Sequence, residues 1–196
     1  MKEIQEMRMI DTTANPAPLG LLGFGMTTIL LNLANAGVIP LTSVIMGMGL
    51  LVGGLAQLFV GIMEWKKNNT FGTVAFTSYG AFWMCLVAIW TLPKMGLSEP
   101  ADAISMGYFL TLWGIYTVFM FIGTLRISKA LQFVFGSLVL LFFLLAIADF
   151  TGSVAVKHFA AWEGIICGLS ALYTSMAQIL NEVYGKVVMP LGPVKK

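Results

Sequence analysis

Residues 131–150 read LQFVFGSLVLLFFLLAIADF. In these twenty residues the single charged side chain is that of Asp149, at the penultimate position. A helix of about 20 mostly apolar residues is long enough to cross the hydrocarbon core of a bilayer. This stretch therefore predicts a transmembrane helix.

Five further stretches share this character, and the composition of the whole chain agrees with them. Hydrophobic residues make up 58% of the 196 residues and charged residues 10%, whereas soluble domains are about 25% charged. Too few polar residues remain to cover a surface in water. The sequence therefore predicts an all-α integral membrane protein. Its six transmembrane helices are expected at residues 19–35, 41–63, 71–92, 103–125, 131–150 and 159–180.

The segments between these stretches are short, and they contain turn-forming residues such as Gly37, Pro40, Pro93 and Gly152. None of them is long enough to hold a soluble domain. We therefore expect one six-helix domain over residues 1–196. A polar N-terminal segment would occupy residues 1–14, and a polar C-terminal tail residues 181–196.

The lysines and arginines indicate the orientation of these helices. Cationic side chains concentrate on the cytoplasmic side of a membrane protein. Alternating the six helices places nine cations on one side and two on the other, so both termini are expected to be cytoplasmic, in a multi-pass protein of the inner (plasma) membrane. A net charge of +2 is too small to indicate a nucleic-acid partner. The nine are Lys2, Arg8, Lys66, Lys67, Arg126, Lys129, Lys186, Lys195 and Lys196, and the two are Lys94 and Lys157.

Ionisable groups are the usual sign of proton or ion relays inside a membrane. The predicted helix centres contain none, because Glu64, Asp102, Asp149 and Glu163 all fall near predicted helix ends. His158 is the single histidine, so no second histidine can complete a metal-ligand set. The chain is therefore not expected to be an enzyme or to hold a metal or another cofactor.

The start of the first helix is a candidate anion site. Asn15 is placed to cap the helix, and Pro16 suits the first turn, where no N–H group is needed. The start of a helix carries partial positive charge and unpaired N–H groups, which attract anions. We therefore assign substrate binding to this segment, including Leu19 and Gly20.

The remaining polar groups of the helix interiors are hydroxyls and amides. Thr27 and Gln57 are the candidates for binding a carboxylate, although the same groups could equally join helices to one another. Small residues recur four apart at Gly49 and Gly53 and at Gly164 and Gly168. This spacing indicates close helix contacts, either within one bundle or between subunits.

The segment NPAPLGLLGFGMTT at residues 15–28 resembles the signature of the acetate uptake transporter family, which includes the bacterial succinate–acetate permeases and archaeal and fungal relatives. The resemblance extends over most of the chain, from about residue 14 to about residue 190. It continues through GGLAQ at 53–57, NTFG at 69–72, AFTSYGAFW at 75–83, FMFIGTL at 119–125, LQFVF at 131–135 and Asn181-Glu182.

The resemblance implies six helices per protomer, a homo-hexamer with one pore in each protomer, and uptake of acetate with some succinate. It also implies a hydrophobic constriction of one Phe, one Tyr and one Leu, which fall on Phe24, Tyr79 and Leu138 of this sequence. The acid would cross in a channel-like or a proton-linked manner. Two alternatives remain open: export of ammonia or ammonium, as in fungal relatives, and a membrane sensor or scaffold without transport.

Overall fold

The computed structural model describes residues 13–194. Most of the predicted N-terminal segment lies outside the described residues, as do the cations Lys2, Arg8, Lys195 and Lys196. Six helices account for most of the remaining chain, which confirms the predicted fold class. They are α1 at Ala17–Asn35, α2 at Ser43–Lys66, α3 at Thr70–Thr91, α4 at Ala103–Thr124, α5 at Lys129–Thr151 and α6 at Val154–Val183.

Five of these helices, α1 to α5, are long and apolar enough to cross a membrane by length and composition. The sixth helix is longer but more polar. It begins five residues earlier than the sequence predicts and ends three residues later, so the polar tail starts after Val183 instead of at residue 181. The reason is that hydropathy detects only the apolar part of a helix that continues beyond it.

Four of the six helix starts, those of α3 to α6, are fixed by N-cap side chains that accept hydrogen bonds from backbone N–H groups of the first turn. Asn69 caps α3, Asp102 caps α4, Ser128 caps α5 and Ser153 caps α6. Each of them satisfies an N–H group that has no partner inside its helix. The predicted boundaries of α3, α4 and α5 are therefore correct within two residues.

The middle of α2 is a π-helical segment, Met48–Ala56, with three buried glycines. A Cβ atom on Gly53 would lie 2.9 Å from both the Thr27 hydroxyl and the Trp83 ring, so α1 and α3 approach the backbone of α2 closely here. The Thr27 hydroxyl donates to the Gly23 carbonyl of its own helix at 2.7 Å. Thr27 is thus part of the packing between α1 and α2.

Helices α1 and α6 touch through their backbones. A Cβ atom on Gly25 would lie 2.7 Å from the carbonyl oxygen of Gly168, and one on Gly168 would lie 2.8 Å from that of Gly25. Contacts this close exist only between glycines. At these positions the small-residue spacing in the sequence serves contacts within the bundle.

The two described ends of the chain lie at the same end of the bundle. The Lys67 ammonium, after α2, donates to the Thr13 carbonyl at 2.8 Å. The Val194 N–H donates to the Ile127 carbonyl, before α5, at 3.0 Å. We call this the basic end, because five of the seven described cations belong to it. They are Lys66, Lys67, Arg126, Lys129 and Lys186.

Candidate functional site

A cavity of about 1050 Å³ enters the bundle from the basic end. Its outer part is lined by loop and tail residues, among them Lys67 and Arg126. Its lining also includes Phe24, Tyr79 and Leu138, the three residues that the resemblance assigns to a constriction. We call this cavity the vestibule.

The three residues belong to α1, α3 and α5, the helices that begin at the basic end. Phe24 lies seven residues beyond the start of α1, and Tyr79 and Leu138 each lie nine beyond the start of their helices. At 1.5 Å per residue, all three are about 10–14 Å deep. The Phe24 and Tyr79 ring centroids are 6.1 Å apart, and the three side chains are only 3–7% exposed. The structure thus gathers them at the inner part of the vestibule.

Tyr79 is fixed on several sides. Its hydroxyl and that of Thr117 on α4 are 2.8 Å apart and share a hydrogen bond. Its ring lies 5.6–6.0 Å, centroid to centroid, from those of Trp113, Tyr116 and Phe135. Such packing holds the ring in one position, so the inner vestibule has a firm aromatic wall on this side.

Gln57 lines the vestibule from α2 and is almost fully buried. Its side chain packs beside Gly80 and Gly23, the neighbours in sequence of Tyr79 and Phe24. One N–H of its amide donates to the Gly53 carbonyl at 2.6 Å. Because an amide nitrogen carries two N–H groups, Gln57 can offer the second one next to the constriction.

The start of α1 contributes less to anion binding than its sequence predicts. Asn15 lines the vestibule, but its oxygen accepts from the Ala17 N–H at 3.1 Å and its nitrogen donates to Gln178 at 2.9 Å. The Leu19 N–H donates to the Pro16 carbonyl at 3.1 Å. Two of the first backbone donors of the helix are therefore already used.

The other residues assigned to this segment do not line the vestibule. Leu19 points away from the bundle and is 47% exposed. Pro16 and Gly20 are buried, and Gly20 packs against the ring of Phe76. Of the six predicted substrate-binding residues, the structure brings Asn15 and Gln57 to the vestibule and leaves Pro16, Leu19, Gly20 and Thr27 in packing or surface positions.

The charges along the vestibule favour anions. Lys67 and Arg126 supply two positive charges, and Glu64 supplies one negative charge. Glu64 is 2% exposed, and its carboxylate accepts a hydrogen bond from Asn69 at 2.6 Å, which joins the end of α2 to the start of α3. A net positive charge in a cleft raises the local concentration of anions.

One helical turn deeper in the bundle than Phe24 and Tyr79, two buried donors have no hydrogen-bond partner within the described part of the chain. They are the Thr28 hydroxyl and the indole N–H of Trp83. Thr28 follows Phe24 by one helical turn, and Trp83 follows Tyr79 by one turn, so each shares a helix face with a constriction residue. A buried polar group without a partner is costly.

The structure corrects the expectation that helix interiors hold no ionisable group. Since α6 begins at Val154, Glu163 lies nine residues inside the helix and not near its end. The Ser137 hydroxyl donates to this carboxylate at 2.5 Å. Ser137 precedes Leu138 in α5, although neither Ser137 nor Glu163 lines the vestibule. The sequence would place Glu163 inside a helix only if α6 were predicted to begin before residue 159.

A helical membrane protein with a charged vestibule that narrows to an apolar inner lining belongs, by its architecture, to the class of channels and transporters. Within residues 13–194, no group of three or more His, Cys, Asp or Glu side chains is placed to hold a metal ion. Residues 4–195 match the GPR1/FUN34/yaaH family. The chain belongs to this family.

Known relatives and a solved structure agree with this assignment. The chain is 56% identical over 179 residues to the succinate-acetate/proton symporter SatP of Escherichia coli K12, covering 91% of this chain and 95% of that protein. It also matches the structure of the bacterial acetate channel SatP with a TM-score of 0.91 and 56% identity, covering 92% of this chain and all of the other. Ammonia transport outward protein 2 of Saccharomyces cerevisiae is 36% identical over 177 residues, covering 86% of this chain and 62% of its own length.

Proposed function

We propose that this chain conducts acetate and related small carboxylates, including succinate, across the inner (plasma) membrane through one pore in each protomer. The observation that carries the proposal is the positively charged vestibule that leads to Phe24, Tyr79 and Leu138. The similarity to a succinate-acetate/proton symporter and to an acetate channel supports the same substrate class. Transport, and not catalysis, is the proposed role.

The proposed path follows from the chemistry of acetate. A carboxylic acid has a pKa near 4, so acetate enters the vestibule as an anion, attracted by Arg126 and Lys67. The amide of Gln57 then donates to the carboxylate beside the constriction. The methyl group passes the apolar ring, which opposes conduction by excluding water. We expect the Thr28 hydroxyl and the Trp83 indole, which have no partner among the described residues, to donate next.

The proposal is tested with the purified full chain in liposomes, by uptake of labelled acetate with and without a pH gradient. We expect flux above that of empty liposomes that follows the membrane potential and ignores the pH gradient, as in a channel-like anion path. Flux that requires inward protons would replace this mechanism with a symporter. Equal uptake by empty and protein-containing liposomes would overturn the proposed function.

The charge of the vestibule gives a prediction for Arg126. Replacing Arg126 with Glu is expected to lower acetate flux by about two- to fivefold at low ionic strength, because the anion loses an attractive charge and meets a repulsive one. The loss should shrink as salt is raised above about 0.15 M, where the screening length falls below about 8 Å.

The matched control is Lys66→Glu. Lys66 is an exposed cation of the same basic end that does not line the vestibule, so this charge reversal should leave flux within a factor of two. Equal losses in both variants would mean that the vestibule charge has no particular role in attracting the substrate.

Glu163 provides a test of the proton-linked alternative. Glu163→Gln keeps an oxygen that accepts from Ser137 and removes the titrating group. Because this carboxylate lies off the vestibule, we expect the variant to carry acetate within a factor of two of the parent and with the same response to a pH gradient. A pH-gradient response that disappears in Glu163→Gln would contradict this and make the carboxylate a proton site.

Export of ammonia is a second candidate, since one similar yeast protein is named for ammonia transport. The cationic side chains of the vestibule repel ammonium, which argues against this reading. Competition distinguishes the two: excess propionate should reduce labelled acetate flux, whereas excess ammonium at constant pH should leave it unchanged. A sensor or scaffold would conduct neither.

We also propose that six protomers associate and that the basic end faces the cytoplasm. The resemblance supports the hexamer, and the cations of the basic end support the orientation. The mass of the detergent-solubilised particle tests the first, with six copies expected. Labelling of a cysteine at Leu97, in the loop at the opposite end, from outside intact cells tests the second.

A further inference from the structure

The chain after α6 folds back over the vestibule. Six of its residues belong to the vestibule lining, and the segment bridges the end of α6 and the start of α5. We call residues 185–194 the collar. The six are Val187, Pro190, Leu191, Gly192, Pro193 and Val194.

The first half of the collar is held by the side chain of Asn181, in the last turn of α6. Its oxygen accepts from the N–H groups of Val188 and Met189 at 2.7 and 2.9 Å. Its nitrogen donates to the Met189 carbonyl at 2.8 Å. The Tyr173 hydroxyl adds a bond to the Pro190 carbonyl at 2.9 Å. One asparagine thus makes three hydrogen bonds to two consecutive residues.

The second half of the collar is held by the start of α5. The N–H groups of Lys129 and Ala130 donate to the carbonyls of Gly192 and Leu191 at 2.8 and 3.0 Å. The Val194 N–H donates back to the Ile127 carbonyl at 3.0 Å. The carbonyls of the collar thus serve as the hydrogen-bond acceptors that the N–H groups at the start of α5 lack within their own helix.

The backbone of the collar is suited to one fixed path. Gly185 and Gly192 have φ values of +61° and +62°, which favour glycine, and they redirect the chain. Pro190, which lies between these two glycines, and Pro193, which follows the second, each have a φ angle fixed by the proline ring. A Cβ atom on Gly192 would lie 3.0 Å from that of Lys129, so the collar also approaches α5 closely.

We propose that the collar limits the size of the carboxylates that enter the vestibule, and that Asn181 is the positioning residue that holds it in place. This rests on the proposed function, because it names the element that selects among acids at the entrance. The collar crosses the mouth through which a substrate passes, and its atoms form part of the wall. Asn181, which is part of the family resemblance, acquires a role in this way, whereas its neighbour Glu182 makes none of these bonds.

Flux is the first test. Asn181→Ala, and a chain that ends after Lys186, should each raise the ratio of succinate flux to acetate flux at least threefold in liposomes. Glu182→Ala, at the exposed neighbour, should match the parent. An unchanged ratio in both Asn181→Ala and the shortened chain would overturn the proposal.

Cysteine labelling tests the collar without relying on acetate transport. In a chain whose Cys85 and Cys167 are replaced, a cysteine at Leu131 of the vestibule is modified in either of two ways. A small methanethiosulfonate converts it to a mixed disulfide and releases methanesulfinate, whereas a bulky maleimide conjugate alkylates it. Asn181→Ala should raise the labelling rate of the bulky reagent at least fivefold and that of the small reagent less than twofold. A cysteine at Leu97, at the opposite end, should react equally in both backgrounds.

The two tests separate two kinds of failure. If neither the parent nor any variant carries acetate, but Asn181→Ala still raises the labelling rate of the bulky reagent, the proposed function is wrong. The collar would then still be the element that limits the size of molecules entering the vestibule. If labelling rates at Leu131 stay the same without the Asn181 side chain, while the protein elutes as the parent does in detergent, the collar only caps α5 and the proposal is wrong.

Discussion

Replacing Leu138 with Ala is expected to raise the flux of carboxylates larger than acetate about tenfold relative to acetate. Leu138 lines the inner vestibule and is 3% exposed. Removing three carbon atoms from the apolar ring widens it beside Phe24 and Tyr79 and admits water more readily, which lowers the barrier for a bulkier acid. A tenfold change corresponds to about 1.4 kcal/mol in the barrier.

The measurement is uptake of acetate, propionate and succinate in liposomes, each corrected for leak through empty liposomes. Leu141→Ala is the matched control, since Leu141 is equally buried in α5 but does not line the vestibule. Both substitutions cost stability, because truncating a buried leucine typically costs about 2–5 kcal/mol. The same selectivity in parent, Leu138→Ala and Leu141→Ala would mean that Leu138 does not shape the narrowest part of the path.

The sequence predicts the bundle well because helix length and apolar composition are local properties. Residues 131–150 already specify α5, and Asn69 and Asp102 mark where α3 and α4 begin. The family resemblance predicts a constriction at Phe24, Tyr79 and Leu138, and all three line the vestibule. It is physically consistent, since each residue lies at a similar distance from the start of a helix that begins at the basic end.

What the sequence does not reveal depends on contacts between distant residues or on polar helix extensions. The hydrogen bonds from Asn181 to the collar and from Lys129 and Ala130 to its carbonyls require a folded tail. The sequence predicts Glu163 near a helix end because residues 154–158 include Lys157 and His158, which reduce the apolar signal. The helical start of α1 suggested free N–H groups, yet Asn15 and the Pro16 carbonyl occupy two of them.

A methyl group added at Gly25 is expected to destabilise the bundle by about 3 kcal/mol, near the upper end of the usual cost of overpacking. The new Cβ atom would lie 2.7 Å from the Gly168 oxygen and 2.9 Å from the Leu172 nitrogen. Both are backbone atoms inside α6, which cannot rotate away as a side chain can. Helices α1 and α6 must therefore move apart along their contact.

Thermal unfolding of Gly25→Ala in detergent, followed by the loss of the monodisperse protein peak, should show a midpoint about 6–12 °C below that of the parent. Gly47→Ala is the matched control. Gly47 is also helical, with φ of −62°, but a Cβ atom there meets nothing within 4 Å, and alanine favours a helix over glycine by up to about 1 kcal/mol. Its midpoint should equal or exceed that of the parent. Equal midpoints for Gly25→Ala and Gly47→Ala would show that α1 and α6 can separate at little cost. Because Gly25 adjoins Phe24, such freedom would also leave the constriction without a fixed wall on the α1 side.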